Sequence, residues 1–140
     1  LLTLQKCLVR IVCGAPRIAH ADPLFAKMAT LKVDDLFEQS VRIFSYKLSK
    51  GMLPGSIANL IGKADHGHLT RGARSNFFVG RSDGRSIKSI APKYWNPLPL
   101  ELKTLPSITS FKERSKLDLL APYGAFVCSV RGCRSCGFPG

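Results

Sequence analysis

Residues 86–102 read Ser-Ile-Lys-Ser-Ile-Ala-Pro-Lys-Tyr-Trp-Asn-Pro-Leu-Pro-Leu-Glu-Leu, and they hold the chain's only tryptophan among three prolines. No other stretch restricts the fold as strongly. Pro92, Pro97 and Pro99 each fix φ, lack a backbone donor and push the preceding residue toward extended geometry. The expectation is that Tyr94 and Trp95 sit on a rigid turn between a short strand and a helix, with Pro92, Tyr94, Trp95 and Pro97 forming a structural anchor. Rings of this size bury large apolar area. Arg81, Arg85, Lys88 and Lys93 surround the anchor, a positive rim suited to an anionic partner.

The chain has 140 residues, of which 45% are hydrophobic, enough for one modest core and too few for two ordinary domains. The expected organisation is a helical region over 1–120 and a disordered, cysteine-containing tail over 121–140. Twenty-one Lys and Arg against nine Asp and Glu give a net charge of +12, spread along the whole chain. An enzyme acting on neutral metabolites has no use for such an excess, whereas a nucleic-acid partner explains it. An acidic membrane surface or no partner at all are the alternatives to nucleic acid; no apolar run is long enough to span a membrane, and no membrane partner is assigned. Residues 1–13 imitate a signal peptide, but Lys6 and Arg10 interrupt the apolar segment. The chain also opens on Leu1, which reads as an internal position of a longer product. Five cysteines, an odd and scattered number, are a poor disulfide framework and fit a reducing compartment.

Hydrophobic periodicity places most of the remaining structure in helices. In the first, Leu1, Leu4, Leu8, Ile11 and Val12 share a face expected to pack inward, with Lys6 and Arg10 opposite, either on a solvated outer face or in contact with phosphate, and Gly14 and Pro16 end it. Asp22 is placed as the N-cap of a short helix running through Met28, with Pro23 at its first position. Residues 33–50 carry the clearest stripe, Val33, Leu36, Phe37, Val41, Phe44 and Leu48, set against Asp34, Glu38, Arg42, Ser45 and Ser49. Asp34 and Asp35 complement the helix dipole, Glu38 is spaced to pair with Arg42, and Gly51 with Pro54 supplies the stop. A last helix is expected from Ser107 as N-cap to about Leu120, with Ile108, Phe111 and Leu119 inward and Ser115 interrupting the stripe.

Between these helices the composition shifts to glycine, serine and arginine. Residues 62–93 read as an irregular basic arm with short strands at 76–79 and 86–90. Lys63, Arg71, Arg74, Arg81, Arg85, Lys88 and Lys93 against Asp65 and Asp83 give this region a net charge of +5, the densest positive segment. These seven are the candidate nucleic-acid-binding residues. Phe77 and Phe78 lie among the arginines, either as rings for stacking on bases or as one buried and one half-buried strand residue. The fold class expected is therefore mainly α, four or five helices with a short two-stranded β element and an irregular basic arm.

The constellations that would carry chemistry are incomplete. Cys128, Cys133 and Cys136 include a Cys-x2-Cys spacing suited to tetrahedral zinc but lack a local fourth ligand, so they read as reduced tail thiols ahead of a metal site. His66 and His68 flank a single glycine with only Asp65 nearby, a poor metal pair. Asp34-Asp35 resembles a magnesium-binding pair, yet it opens an amphipathic helix and has no third carboxylate. No phosphate-binding glycine loop with its lysine, nucleophile elbow or Ser/His/Asp set is present. No catalytic residue is assigned.

Several ordered blocks are similar to the region carboxy-terminal to the catalytic core in reverse transcriptases of non-LTR, LINE-type retrotransposons, especially the jockey-like group. These are Leu4-Gln5-Lys6 with Arg10-Ile11-Val12 and Gly14-Ala15-Pro16, then Ala19-His20-Ala21-Asp22-Pro23-Leu24-Phe25, then Leu31-Lys32-Val33-Asp34-Asp35-Leu36. Gly51-Met52-Leu53-Pro54, Thr70-Arg71, Ser86-Ile87-Lys88, Ala91-Pro92-Lys93-Tyr94-Trp95-Asn96, Leu98-Pro99 and Ser107 with Ser110-Phe111-Lys112 continue the series. The likeness runs to about Leu120 and departs at Ser115. It implies a fragment of an RNA-directed DNA polymerase without the catalytic carboxylates, which lie upstream. The implied partners are template RNA or target DNA and the upstream polymerase core; magnesium would serve the parent polymerase, and no cofactor is expected in this chain. A ribonucleoprotein of nucleus and cytoplasm is the implied setting. The alternatives are a helical fragment that binds no nucleic acid and a degenerate remnant.

Overall fold

The computed structural model describes residues 1–62, 76–79 and 84–124. Seven helices occur among them: α1 (Leu2–Val12), α2 (Asp22–Lys27), α3 (Val33–Ser49), α4 (Gly55–Ala58), α5 (Ile87–Trp95), α6 (Leu100–Lys103) and α7 (Ile108–Gly124). The mainly helical expectation is met, with seven helices where four or five were expected; α4 and α6 are single turns. The two-stranded β element is not seen among the described residues. Residues expected as a strand at 86–90 instead lead into and open α5. The chain divides into two compact units, Leu1–Leu36 with Lys116–Gly140, and Phe37–Ser115, and α3 and α7 supply residues to both.

Helix ends follow local chemistry closely. After α1, Gly14 takes φ 62°, and the amides of Gly14 and Ala15 bond back to Ile11 and Arg10 at 3.1 and 2.9 Å. After α3, Gly51 takes φ 69° and the pattern repeats from Gly51 and Met52 to Leu48 and Lys47. A Cβ at either glycine would meet nothing within 4 Å, so the backbone angle alone requires glycine there. The same closure ends α2, where Ala29 and Thr30 bond to Ala26 and Phe25, but Ala29 must hold φ 48° with a side chain. Asp22 is the first residue of α2, not its cap, and pairs with Lys32 at 3.0 Å. Ser107 caps α7 as expected, its Oγ accepting the Ser110 amide at 3.1 Å. Glu38 and Arg42 form the expected ion pair, at 2.6 Å.

The faces of two helices differ from the expectation. On α1 the leucine stripe points outward: Leu4, Leu8, Ile11 and Val12 are 60–74% exposed, and Val9 is the buried residue. What faces inward is polar. The Gln5 amide donates to the Leu31 carbonyl and accepts from the Val33 amide, both at 2.9 Å, while Arg10, expected to face outward, donates from Nε to the Ala19 carbonyl at 2.7 Å. The Gln5 bonds satisfy backbone groups where the α2–α3 connection enters α3, and the Arg10 bond satisfies one in the α1–α2 connection, which together fix the side of α1 that docks. On α3 the buried set is Val41, Arg42, Ser45, Tyr46 and Leu48, whereas Leu36 and Phe37 are exposed. Burying Tyr46 turns the helix: its ring stacks on Phe111 at 4.5 Å and its hydroxyl donates to the Leu105 carbonyl at 2.7 Å.

Along α7, Phe111, Ser115, Leu119 and Tyr123 are buried at a spacing of four, so Ser115 belongs to the stripe. The helix passes Pro122 and ends at Gly124, beyond the expected stop at Leu120. Tyr123 holds that last turn. Its hydroxyl donates to Asp35 and accepts the Lys32 amide at 3.1 Å, its ring meets Phe25 edge-on at 6.2 Å, and Lys32 Nζ lies 4.4 Å from its centroid. Burial, then the bond to Asp35, push the Tyr123 hydroxyl's pKa above its ordinary value. Val9, Ala21, Phe25, Leu31, Leu119 and Tyr123 make the core of this unit.

Two substitutions test these readings. Ala29→Gly removes the cost of a left-handed alanine and raises unfolding free energy by about 1 kcal/mol in urea denaturation; an unchanged midpoint would mean the turn is not strained. The Ser45 and Ser115 hydroxyls are buried with no hydrogen-bond partner among the described residues. Ser45→Ala and Ser115→Ala therefore each stabilise by about 1 kcal/mol, and a lower melting temperature in both would show the hydroxyls to be satisfied.

Candidate nucleic-acid interface

Pro92 lies inside α5, not at a turn, and this overturns the expected geometry of the anchor. The helix tolerates it because the proline ring faces the core, fully buried beside Ala91 and Trp95, and the one carbonyl it deprives of an amide is that of exposed Lys88. Tyr94 and Trp95 are thus the last residues of a helix. Asn96 follows as the C-cap, exposed Pro97 ends the segment, and Pro99 in extended geometry caps α6.

Trp95 is fully buried and is the anchor that the sequence indicated. Its ring stacks on Phe77 at 5.6 Å and lies tilted against Phe111 at 6.1 Å. With Tyr46 on Phe111 the four rings form a column whose members come from the 76–79 segment, α5, α7 and α3. Leu48, Ile61, Ala91, Leu98 and Leu102 surround it.

Beside the column, Asn96 clamps the extended segment. Its Oδ1 accepts the Phe77 amide at 2.9 Å and its Nδ2 donates to the Phe77 carbonyl at 3.1 Å, as a paired strand would do with its backbone. Buried Lys103 adds two bonds of 2.9 Å, to Asn76 Oδ1 and the Asn96 carbonyl, and its Nζ stands 5.8 Å from the Trp95 centroid. With no ion-pair partner among the described residues, burial lowers its pKa. On the far side the Phe78 amide donates to Gly62 at 2.9 Å. Phe77 is consequently buried while Phe78 is 57% exposed, so of the two readings for this pair, Phe77 is core and Phe78 remains open to a ligand.

Of the seven basic candidates, Lys63, Arg71, Arg74 and Arg81 lie outside the described residues, as do His66, His68, Cys128, Cys133 and Cys136. Arg85, Lys88 and Lys93 are exposed. Lys88 and Lys93 sit about 140° apart around α5 at ~100° per residue, so they do not share a face. Lys93 Nζ lies 5.3 Å from the Tyr94 centroid, and Tyr94, half-buried, meets Phe37 edge-on. Among the described residues no group of three His, Cys, Asp or Glu side chains is placed to hold a metal. Neither Asn96 nor Lys103 belongs to a periodic pattern, so the bonds they make here are not legible from the sequence. The chain matches no protein-family model, and no curated protein or solved structure is significantly similar to it.

Asn96→Ala removes both bonds to Phe77 and lowers unfolding free energy by about 2 kcal/mol in urea denaturation, with Asn96→Asp, which keeps only the acceptor, intermediate. Trp95→Ala costs about 3–5 kcal/mol. Wild-type stability in Asn96→Ala would remove the clamp from the account.

Proposed function

We propose that this chain is a nucleic-acid-binding and structural buttress region that follows the polymerase core of a non-LTR, LINE-type reverse transcriptase, with template RNA or target DNA and the upstream core as its partners. It has no catalytic role of its own; magnesium chemistry belongs to the parent polymerase, and the setting is a ribonucleoprotein of nucleus and cytoplasm. The observation that carries the reading is the clamp: the Asn96 and Lys103 bonds and the Gly62–Phe78 bond pin residues 76–79, which fall within the most basic stretch of the sequence, to an aromatic core, with Phe78 left exposed. A core of this kind supplies a fixed base from which Lys63, Arg71, Arg74, Arg81, Arg85, Lys88 and Lys93 contact phosphates. Such contacts position a strand without reading its sequence.

A second reading, a buttress that touches no nucleic acid, draws on α1, whose Leu4, Leu8 and Ile11 are available to an apolar partner surface. No helix among the described residues is long and apolar enough to cross a membrane.

Filter binding separates the two. Affinity for single-stranded RNA falls roughly 10²- to 10³-fold between about 50 and 200 mM salt if four to seven phosphates are neutralised. Charge reversal at Arg71, Arg74 and Arg85 lowers the affinity and flattens the salt slope while the melting temperature holds. Unchanged affinity in that variant supports the buttress instead.

A further inference from the structure

Phe37 occupies a place on α3 that periodicity assigns to the core, yet half of it is exposed. Its ring is not idle at the surface. It stands at 81° to the Tyr94 ring, with centroids 6.3 Å apart, so that α3 and α5 together build an open aromatic corner. Lys93 Nζ lies over the Tyr94 ring, 5.3 Å from its centroid, which adds a cation to the same group of side chains and leaves the Phe37 ring for a planar ligand. The neighbouring carboxylate of Glu38 is neutralised by Arg42 at 2.6 Å.

From this arrangement we infer that Phe37, Tyr94 and Lys93 form a stacking site for one unpaired base of a single-stranded nucleic acid. A planar base lies against one ring with its edge toward the other, the stacking mode that tolerates any sequence, and the adjoining phosphate meets Lys93. The pairing of an apolar corner with a lone cation matches the amphipathic character of a nucleotide, a flat ring joined to a negative charge, and it does not match a purely apolar partner. The site rests on the nucleic-acid reading above and adds to it a contact that depends on bases, where that reading depends on phosphates alone.

The test uses fluorescence anisotropy with the full chain and three short labelled strands of equal length: oligoriboadenylate, oligodeoxyadenylate and an abasic deoxy strand. Phe37→Ala is expected to weaken binding of both base-bearing strands by roughly tenfold and to leave the abasic strand and the melting temperature unchanged. Phe37→Trp is expected to keep wild-type affinity, and its added emission, distinct from that of buried Trp95, to be quenched by the adenylates and not by the abasic strand. Wild-type affinity for adenylates in Phe37→Ala overturns the stacking site and leaves the phosphate reading standing. An equal loss on all three strands, or a fall in melting temperature that accounts for it, assigns Phe37 a structural role and also overturns the site. If the wild-type chain binds none of the strands, both readings fall.

Discussion

The face of Trp95 is the contact on which the larger unit depends. Phe77 stacks on it and Phe111 leans against it, and Phe111 in turn carries Tyr46. Each ring belongs to a different segment, so the column joins pieces of chain that share no secondary structure. Rings suit this task because they bury much area while losing few side-chain rotamers. The prolines add stiffness around the central ring: Pro92 packs in the same core, and Pro99 starts α6 so that Lys103 reaches back over Trp95. A lysine at that depth is costly to charge, and its placement over a ring face with two carbonyl-type acceptors offsets the lost water.

Asn96 gives the column a direction. Stacking alone would let Phe77 slide across the indole, whereas a side-chain amide that both accepts from and donates to the same residue fixes the register of the 76–79 segment. That register decides which phenylalanine is buried. With Phe77 inward, the alternation of an extended chain sends Phe78 outward, and the Gly62 carbonyl then receives its amide. The adjacent Trp95-Asn96 pair therefore acts as one device, ring and clamp together.

What was legible in the sequence was the chemistry that acts over a few residues. Gly14 and Gly51 stop their helices because only a left-handed residue completes the closing bonds, Ser107 caps α7, and Glu38 meets Arg42 one turn on. The faces were harder, for a definite reason. A period of 3.6 finds the apolar stripe of α1 but carries no information on what lies opposite, and here hydrogen bonds from Gln5 and Arg10 outweighed the leucines in choosing the docked side. On α3 a single stacked pair, Tyr46 on Phe111, turned Arg42 and Ser45 inward. The α5 helix was misread because the proline rule states a cost, not a prohibition. That cost falls on one carbonyl at an exposed residue and is recovered by packing the ring. The clamp could not be read at all, since an asparagine that bonds to a backbone far along the chain leaves no local pattern.

The excess of Lys and Arg over Asp and Glu is only partly offset within the chain. Among the described residues, the ion pairs of Lys32 with Asp22 and Arg42 with Glu38 each use one acidic residue, and Asp35 is engaged by the Tyr123 hydroxyl. The remaining carboxylates cannot balance twenty-one Lys and Arg, and like charges held on a small body repel one another. Burying Lys103 in a polar but uncharged niche keeps one cation out of that surface field without spending a carboxylate on it. Lys88 and Lys93, on different sides of α5, do not line a single groove, so a polyanion that meets both must pass around the helix. Such a path suits a flexible single strand better than a stiff duplex.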